Sequence, residues 1–386
     1  MFHFTTLPPL SLYIHIPYCV RKCPYCDFNS HEVNDALPEQ AYIDALIADL
    51  EQDLPKVWGR TVSSIFFGGG TPSIFSPDAI DRLLMAIRSR IRVLPQAEIT
   101  LEANPSTVDN ARFQGFRQAG INRLSLGVQS FSDTALQALG RVHDSKIALQ
   151  AIEAIHQAGF KQFNLDLMFG LPQQTVELAL TDLNIAINAQ PSHLSWYQLT
   201  IEPNTWFYHH PPVLPDDDNC WDIQNAGQTL LAAQGYEQYE VSAYARNQQY
   251  CQHNINYWTF GDYLGIGAGA HAKISDAATG TITRYSKQRH PRTYIETAQT
   301  TAVLATQQSI TKADAIFEFM LNALRLNAGF ELSLFTQHTG LSPSCLSDYL
   351  TEAQQRGWLT QTGEQIQTTP TGQRFLNEVL TLFIPS

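Results

Sequence analysis

Leu12-Tyr13-Ile14-His15-Ile16 and, two residues on, Cys19-Val20-Arg21-Lys22-Cys23-Pro24-Tyr25-Cys26 are the stretch from which the fold can be read. Apolar residues at 12, 14 and 16 alternate with Tyr13 and His15, the period-two signature of a strand. The cysteines therefore lie in the loop at that strand's C-terminal end, spaced C-x3-C-x2-C. Three thiols within eight residues point to metal chemistry. On spacing alone, Cys19, Cys23 and Cys26 could each take one iron of a [4Fe–4S] cube, leaving the fourth iron without a protein ligand. A zinc site completed by His15 or His31, or a disulfide pair, are the alternatives. Zinc sites usually pair two separated knuckles, and no second C-x2-C occurs here, which favours the cluster.

Working outward, strand and helix patterns alternate. A helix is predicted from Pro38 to Leu54, with Tyr42, Leu46, Leu50 and Leu54 on one face. Val62 to Phe67 is a short apolar strand running into Gly68-Gly69-Gly70-Thr71-Pro72. Ser76-Pro77-Asp78 is a helix start, with a capping serine and proline in the first turn. Strands follow at Glu98 to Glu102, Arg123 to Val128, Phe163 to Met168 and His193 to Ile201. Between them run helices at Val108 to Ala119, Ser145 to Gln157 and Thr175 to Asn188. Six such units in order imply a parallel sheet with right-handed crossovers. Eight would close a barrel, so the expectation is an open, partial (β/α)6 TIM-like barrel. Active sites of such barrels lie at the C-terminal strand ends. Cys19, the glycines, Glu102, Gln129 and Asp166 all fall there.

From Glu202 to Gln299 the chain is less regular and rich in aromatic residues. Beyond it, helix, helix, helix, strand, helix is read as a small winged-helix-like α+β unit. Gly357-Trp358-Leu359, Ile366 and Thr369-Pro370-Thr371-Gly372 supply its turn and wing. The expected division is 1–300 for the barrel and 301–386 for the C-terminal unit.

The 386 residues carry a formal charge of −12, which gives no general attraction for nucleic acid or anionic lipid. Residues 311–386 hold four Lys/Arg against seven Asp/Glu, so the wing is expected to pack or dock rather than bind DNA. The apolar runs are strand-length, far short of the roughly 18 residues of a membrane span. The N-terminus lacks a basic, signal-like segment. Six cysteines are too few for a disulfide scaffold, and a reducing cytoplasm is expected. Cys220, Cys251 and Cys345 read as inert core thiols.

The cysteine loop after the first strand, together with Gly-Gly-Gly-Thr-Pro after the second, resembles the radical S-adenosylmethionine (SAM) superfamily. Tyr13-Ile14-His15-Ile16-Pro17, Glu102-Ala103-Asn104-Pro105, Gly127-Val128-Gln129-Ser130, Leu139-Gly140-Arg141 and Asn164-Leu165-Asp166-Leu167 narrow the likeness. They resemble the oxygen-independent coproporphyrinogen oxidases and their heme-chaperone relatives, nearly end to end. That resemblance implies a radical SAM-type barrel, a [4Fe–4S] cluster on Cys19, Cys23 and Cys26, and SAM on the free iron. It implies SAM contacts from Tyr13, Tyr25, Gly69, Gly70, Thr71, Glu102, Gln129, Arg141 and Asp166. The oxidase branch carries a fourth cysteine where this chain has Phe28, in Cys26-Asp27-Phe28, whereas the chaperone branch shares the C-D-F form. Cys251-Gln252-His253-Asn254-Ile255-Asn256-Tyr257-Trp258 resembles the chaperones' heme-binding segment. By that likeness His253 is the expected heme ligand, with Cys251 and His271 as lesser candidates. Arg284, Lys287, Arg289 and Arg292 are candidate partners for the propionates.

The chain is accordingly read as a heme carrier that passes heme to an unidentified acceptor protein and draws on an electron donor for its cluster. The competing reading is an enzyme, a coproporphyrinogen III oxidase that decarboxylates propionate side chains. A homodimer is an arrangement the sequence allows.

Overall fold

The computed structural model describes residues 1–33 and 36–385. Its core is an open twelve-stranded sheet. The first six strands are β1 (Leu10–Ile16), β2 (Thr61–Gly69), β3 (Arg92–Ala103), β4 (Arg123–Gln129), β5 (Gln162–Phe169) and β6 (His193–Gln198). Each pairs in parallel with the next. The expected succession of βα units is present. Helix α1 (Glu39–Asp53) follows the cysteine loop, and α2 (Pro77–Arg90) starts where predicted. There the Ser76 hydroxyl accepts from the Ala79 N–H at 3.2 Å, satisfying one of the free donors of the first turn. Helices α3 (Asn110–Ala119), α4 (Asp133–Ala138), α5 (Ser145–Gln157) and α6 (Val176–Asn188) complete the crossovers. The apolar faces of β1 to β6 merge with Leu46, Leu50, Leu83, Leu84, Phe113, Phe116, Ile152 and Leu183 in one continuous core.

The irregular region holds more sheet than its pattern suggested. After α7 (Asp217–Ala233) come β7 (Glu237–Gln238) and β8 (Ala243–Ala245), the latter antiparallel to β6. Helix α8 (Gln252–Trp258) is followed by β9 (Asp262–Ile266). Strand β9 lies parallel to β1 on its other side, Leu10 opposite Asp262, and makes a seventh parallel strand. It is only five residues long and sits between Gly261 and Gly267, so it offered no alternation to read. Strands β10 (His271–Asp276), β11 (Thr281–Lys287) and β12 (Leu304–Ser309) extend that edge antiparallel.

A second apolar cluster joins Phe2, Phe260 and Ile282 to the residues from Ile310 onward. It packs helices α9 (Lys312–Ala323), α10 (Leu332–Thr339) and α11 (Ser347–Gln355) against strands β13 (Phe330–Glu331), β14 (Leu359–Thr362) and β15 (Gln365–Thr368). Thr369-Pro370-Thr371-Gly372, expected in the wing, instead opens a helix. The Thr369 hydroxyl caps it, accepting from the Gly372 N–H at 3.0 Å. The wing is the tight β14–β15 turn at Gly363 (φ +62°). Among the described residues, no helix is long and apolar enough to cross a membrane.

Candidate functional site

The cysteine loop is closed at its base by Tyr18 and Cys19, which pair in parallel with His31 and Glu32. It leans on the glycine segment. The Gly70 N–H donates to Ile16 O and the Thr71 N–H to Tyr18 O, both at 2.8 Å. A Cβ at Gly70 would lie 2.7 Å from Tyr18 O and 3.0 Å from Cys19 Sγ. Glycine is needed there because two backbones and a sulfur share the space.

The three cysteines, Tyr25, Gly69, Gly70, Thr71, Glu102, Gln129, Arg141 and Asp166 all line one cavity of about 380 Å³. Small-molecule sites run from about 300 to 1,000 Å³, so the space suits a nucleoside-sized ligand. Tyr13 is not on that wall. Its hydroxyl meets His15 Nδ1 at 3.0 Å, and its ring lines two neighbouring cavities.

The sulfurs are met by donors. The Thr71 hydroxyl donates to Cys19 Sγ at 3.5 Å, and Arg141 donates one guanidinium N–H to Cys23 Sγ at 3.4 Å. A second Arg141 N–H holds Gly127 O at 2.7 Å. Its Nε is buried without a partner, a donor left free for a ligand. All six cysteines are unpaired. Among the described residues no three His, Cys, Asp or Glu side chains converge as one ion requires. Three thiols on one wall, each apart from the others, suit a cube that offers each sulfur a different iron better than a lone zinc. Burial pushes the Cys19 and Cys26 thiols above the ordinary range, so a bound metal would be what ionises them.

Opposite the cysteines stand two acids. Glu102 Oε2 accepts the Gly69 N–H at 3.2 Å. Asp166 accepts from Asn164 Nδ2 at 2.7 Å and from the Ser125 hydroxyl at 3.2 Å. Burial, and then the charge of Asp166, raises the Glu102 pKa from 4.5 to about 8; burial also raises that of Asp166. Two acids sharing a buried space resist ionising together. The folded, ligand-free chain therefore holds protons that the unfolded chain gives up between pH 4.5 and 8, so its stability falls as pH rises through that window. Thermal unfolding of the metal-free chain across this range should show that slope, and Glu102→Gln should flatten it. An equal slope in the variant would assign it elsewhere.

Gln129 is brought inward by a bulge. Gly127 pairs with Asp166 and Gln129 with Leu167, so Val128 is the extra residue. Gln129 takes φ +72°, a strained conformation of the kind found at ligand sites. Its Oε1 accepts from the Tyr197 hydroxyl at 2.9 Å. Tyr197 and Ser195 also line the cavity, and sequence reasoning did not place them there. Their alternation on β6, with Ser195 beside Asp166, was the available signal. Phe28 reaches the same cavity and is 59% exposed.

His253 lies elsewhere. Helix α8 packs across the N-terminal ends of β1 to β3, where Asn256 Nδ2 donates to Ser11 Oγ and the Gln252 and His253 N–H groups donate to the Glu98 carboxylate. The His253 ring is 1% exposed, with Nδ1 at 3.1 Å from Ser64 Oγ and Nε2 without a partner. Burial, with Arg123 adding to it, lowers its pKa to about 3. The cavity beside it is about 230 Å³, below the range of cofactor-sized sites, about 300 to 1,000 Å³. That chamber shares Glu102, Ser125, Asp166 and Ser195 with the cysteine cavity, and a porphyrin reaches His253 only if its walls open. Cys251 is equally enclosed, its thiol donating to Glu98 Oε1 at 3.5 Å. Of the remaining cysteines, Cys220 is buried as expected, whereas Cys345 is exposed.

Two family models match the chain. Residues 13–183 match the radical SAM superfamily and residues 310–375 the HemN C-terminal domain. Over 382 residues, 98% of each chain, this chain is 50% identical to the heme chaperone HemW of Haemophilus influenzae. It is 50% identical over 378 residues to that of Escherichia coli, covering 98% of this chain and 99% of the relative. The chain belongs to the HemW family of radical SAM proteins. Coproporphyrinogen III oxidase (HemN) of E. coli shares the fold, with a TM-score of 0.82 over 98% of this chain and 90% of the other, at 24% identity. The oxidase is thus a structural neighbour, while the HemW relatives match in sequence throughout.

Proposed function

We propose that the chain carries heme and hands it to an acceptor protein, holding a [4Fe–4S] cluster on Cys19, Cys23 and Cys26 with SAM beside it. The observation that carries the cofactor reading is the single cavity shared by three thiols, the free Nε of Arg141 and the acids Glu102 and Asp166. When bound, cluster and SAM supply one-electron chemistry. The residues of the chain bind and orient. Arg141 is placed to grip a carboxylate with its fork, Glu102 and Asp166 to accept from an ammonium or ribose hydroxyls, and Gly69 and Gly70 to let backbone approach the ligand. Tyr25, Thr71 and Gln129 shape the wall.

The carrier reading over the oxidase reading rests on Phe28 and on 50% identity to proteins named heme chaperones. On this reading the chain divides near residue 300 into barrel and docking unit. It works in a reducing cytoplasm with a separate electron donor, and self-association as a homodimer accompanies handover. Heme should bind at about one per chain, as is usual for a single site, and pass to a heme-free acceptor. Absorbance titration of the anaerobically reconstituted protein tests this. No saturable heme spectrum, or decarboxylation of coproporphyrinogen with SAM and a reductant, would overturn it.

A further inference from the structure

On the carrier reading, the chain must hold heme somewhere. Beside the cysteine cavity is a larger one of about 690 Å³ that shares Gly69, Glu102 and Phe28 with it. Its volume lies inside the range that cofactors occupy, about 300 to 1,000 Å³, whereas the chamber at His253 does not. Tyr257, Tyr263 and Phe28 line it with flat apolar faces, the surfaces a macrocycle packs against. Phe28 is a large apolar side chain left 59% exposed.

The imidazoles nearby differ in what they have free. His15 uses both ring nitrogens, on the Tyr13 hydroxyl at 3.0 Å and Asn29 O at 2.8 Å. His193, in the barrel interior, is likewise spent on Asn164 and Tyr239. His271 is exposed at the start of β10 and lines the larger cavity. No hydrogen bond engages its ring among the described residues. The basic stretch sorts in the same way. Lys287 is buried against Asp49 and Asp53, Arg284 pairs with Glu318, and Arg292 pairs with Glu296. Arg289 alone of the four has no carboxylate partner among the described residues, and it lines this cavity.

We propose that heme docks in this cavity, with His271 as axial ligand and Arg289 on a propionate. The bond is a donation of the imidazole lone pair into an open axial position of the iron; no electron changes hands. Heme would then border the SAM cavity at Gly69, Glu102 and Phe28, outside the smaller chamber of His253.

The test is titration of the full chain with ferric hemin, followed by its Soret band. His271→Ala should weaken binding by roughly tenfold or more and move the band, since the axial ligand sets the spectrum. His271→Cys should restore binding with a band unlike that of wild type, a signature that a merely structural role would not give. Arg289→Glu should weaken binding without moving the band. A wild-type spectrum and affinity in His271→Ala would overturn the assignment. So would a folded His253→Asn variant, checked by circular dichroism, that alone loses the band. If wild type itself shows no saturable shift, the carrier reading fails, a result distinct from either.

Discussion

Cys23→Ala is expected to remove the cluster while leaving the fold intact. Wild-type protein reconstituted without oxygen should contain iron and sulfide near about four each per chain, as one cubane requires. The variant should contain a small fraction of that. Cys23 is only partly buried and belongs to no apolar cluster, so the alanine creates no core cavity. It leaves Arg141 without its sulfur acceptor but still bonded to Gly127 O. Cys345→Ala, at an exposed thiol remote in sequence, is the control and should keep the full complement. Iron and sulfide analysis with circular dichroism decides the matter. A full cluster in Cys23→Ala would mean that the trio is not the ligand set.

Asp262→Ala is expected to be the most damaging change outside the site. Asp262 is 0% exposed and opens β9. Its carboxylate accepts from Arg60 at 2.7 Å, Lys273 at 2.8 Å, and the Ser275 N–H and hydroxyl, each at 2.9 Å. Lys273 is itself 1% exposed. Removing the acid strands that ammonium, and breaking a buried pair in this way costs about 3–5 kcal/mol. Chemical denaturation of the metal-free chain should show the loss. A cost below about 1 kcal/mol, the level of a surface pair, would mean that water reaches Lys273. Deleting both partners, as in Asp262→Asn with Lys273→Met, should recover part of the loss, since the buried ammonium is then gone and only Arg60 lacks its acid.

These cases show which features a linear reading can reach. The six parallel strands were legible because each is an apolar run followed by an amphipathic helix, and the loop residues of the site fall at fixed strand ends. Glu102 and Asp166 stood out by falling at those same strand ends. Tyr197 was passed over because an aromatic residue on a strand is ordinary; only its pairing across the barrel with the bulged Gln129 gives it a role. Tyr13 was expected at the SAM cavity through the family resemblance; β1 turns it toward the neighbouring cavities. Strand β9 was hidden by its length and its flanking glycines. The His253 segment is harder to read from sequence. Its aromatic and imidazole content matches a ligand pattern, but three of its polar groups, the Gln252 and His253 N–H and the Asn256 amide, are spent on Glu98 and Ser11. No local sequence signal shows that a helix is lying across strand ends contributed by residues about 150 to 250 positions away in the chain.

Because the cysteine cavity and the larger one beside it both border Gly69, Glu102 and Phe28, a cargo held in the second would share its threshold with whatever occupies the first. Loading and unloading then take turns at one doorway, and an acceptor waiting there stands where the next cargo would arrive.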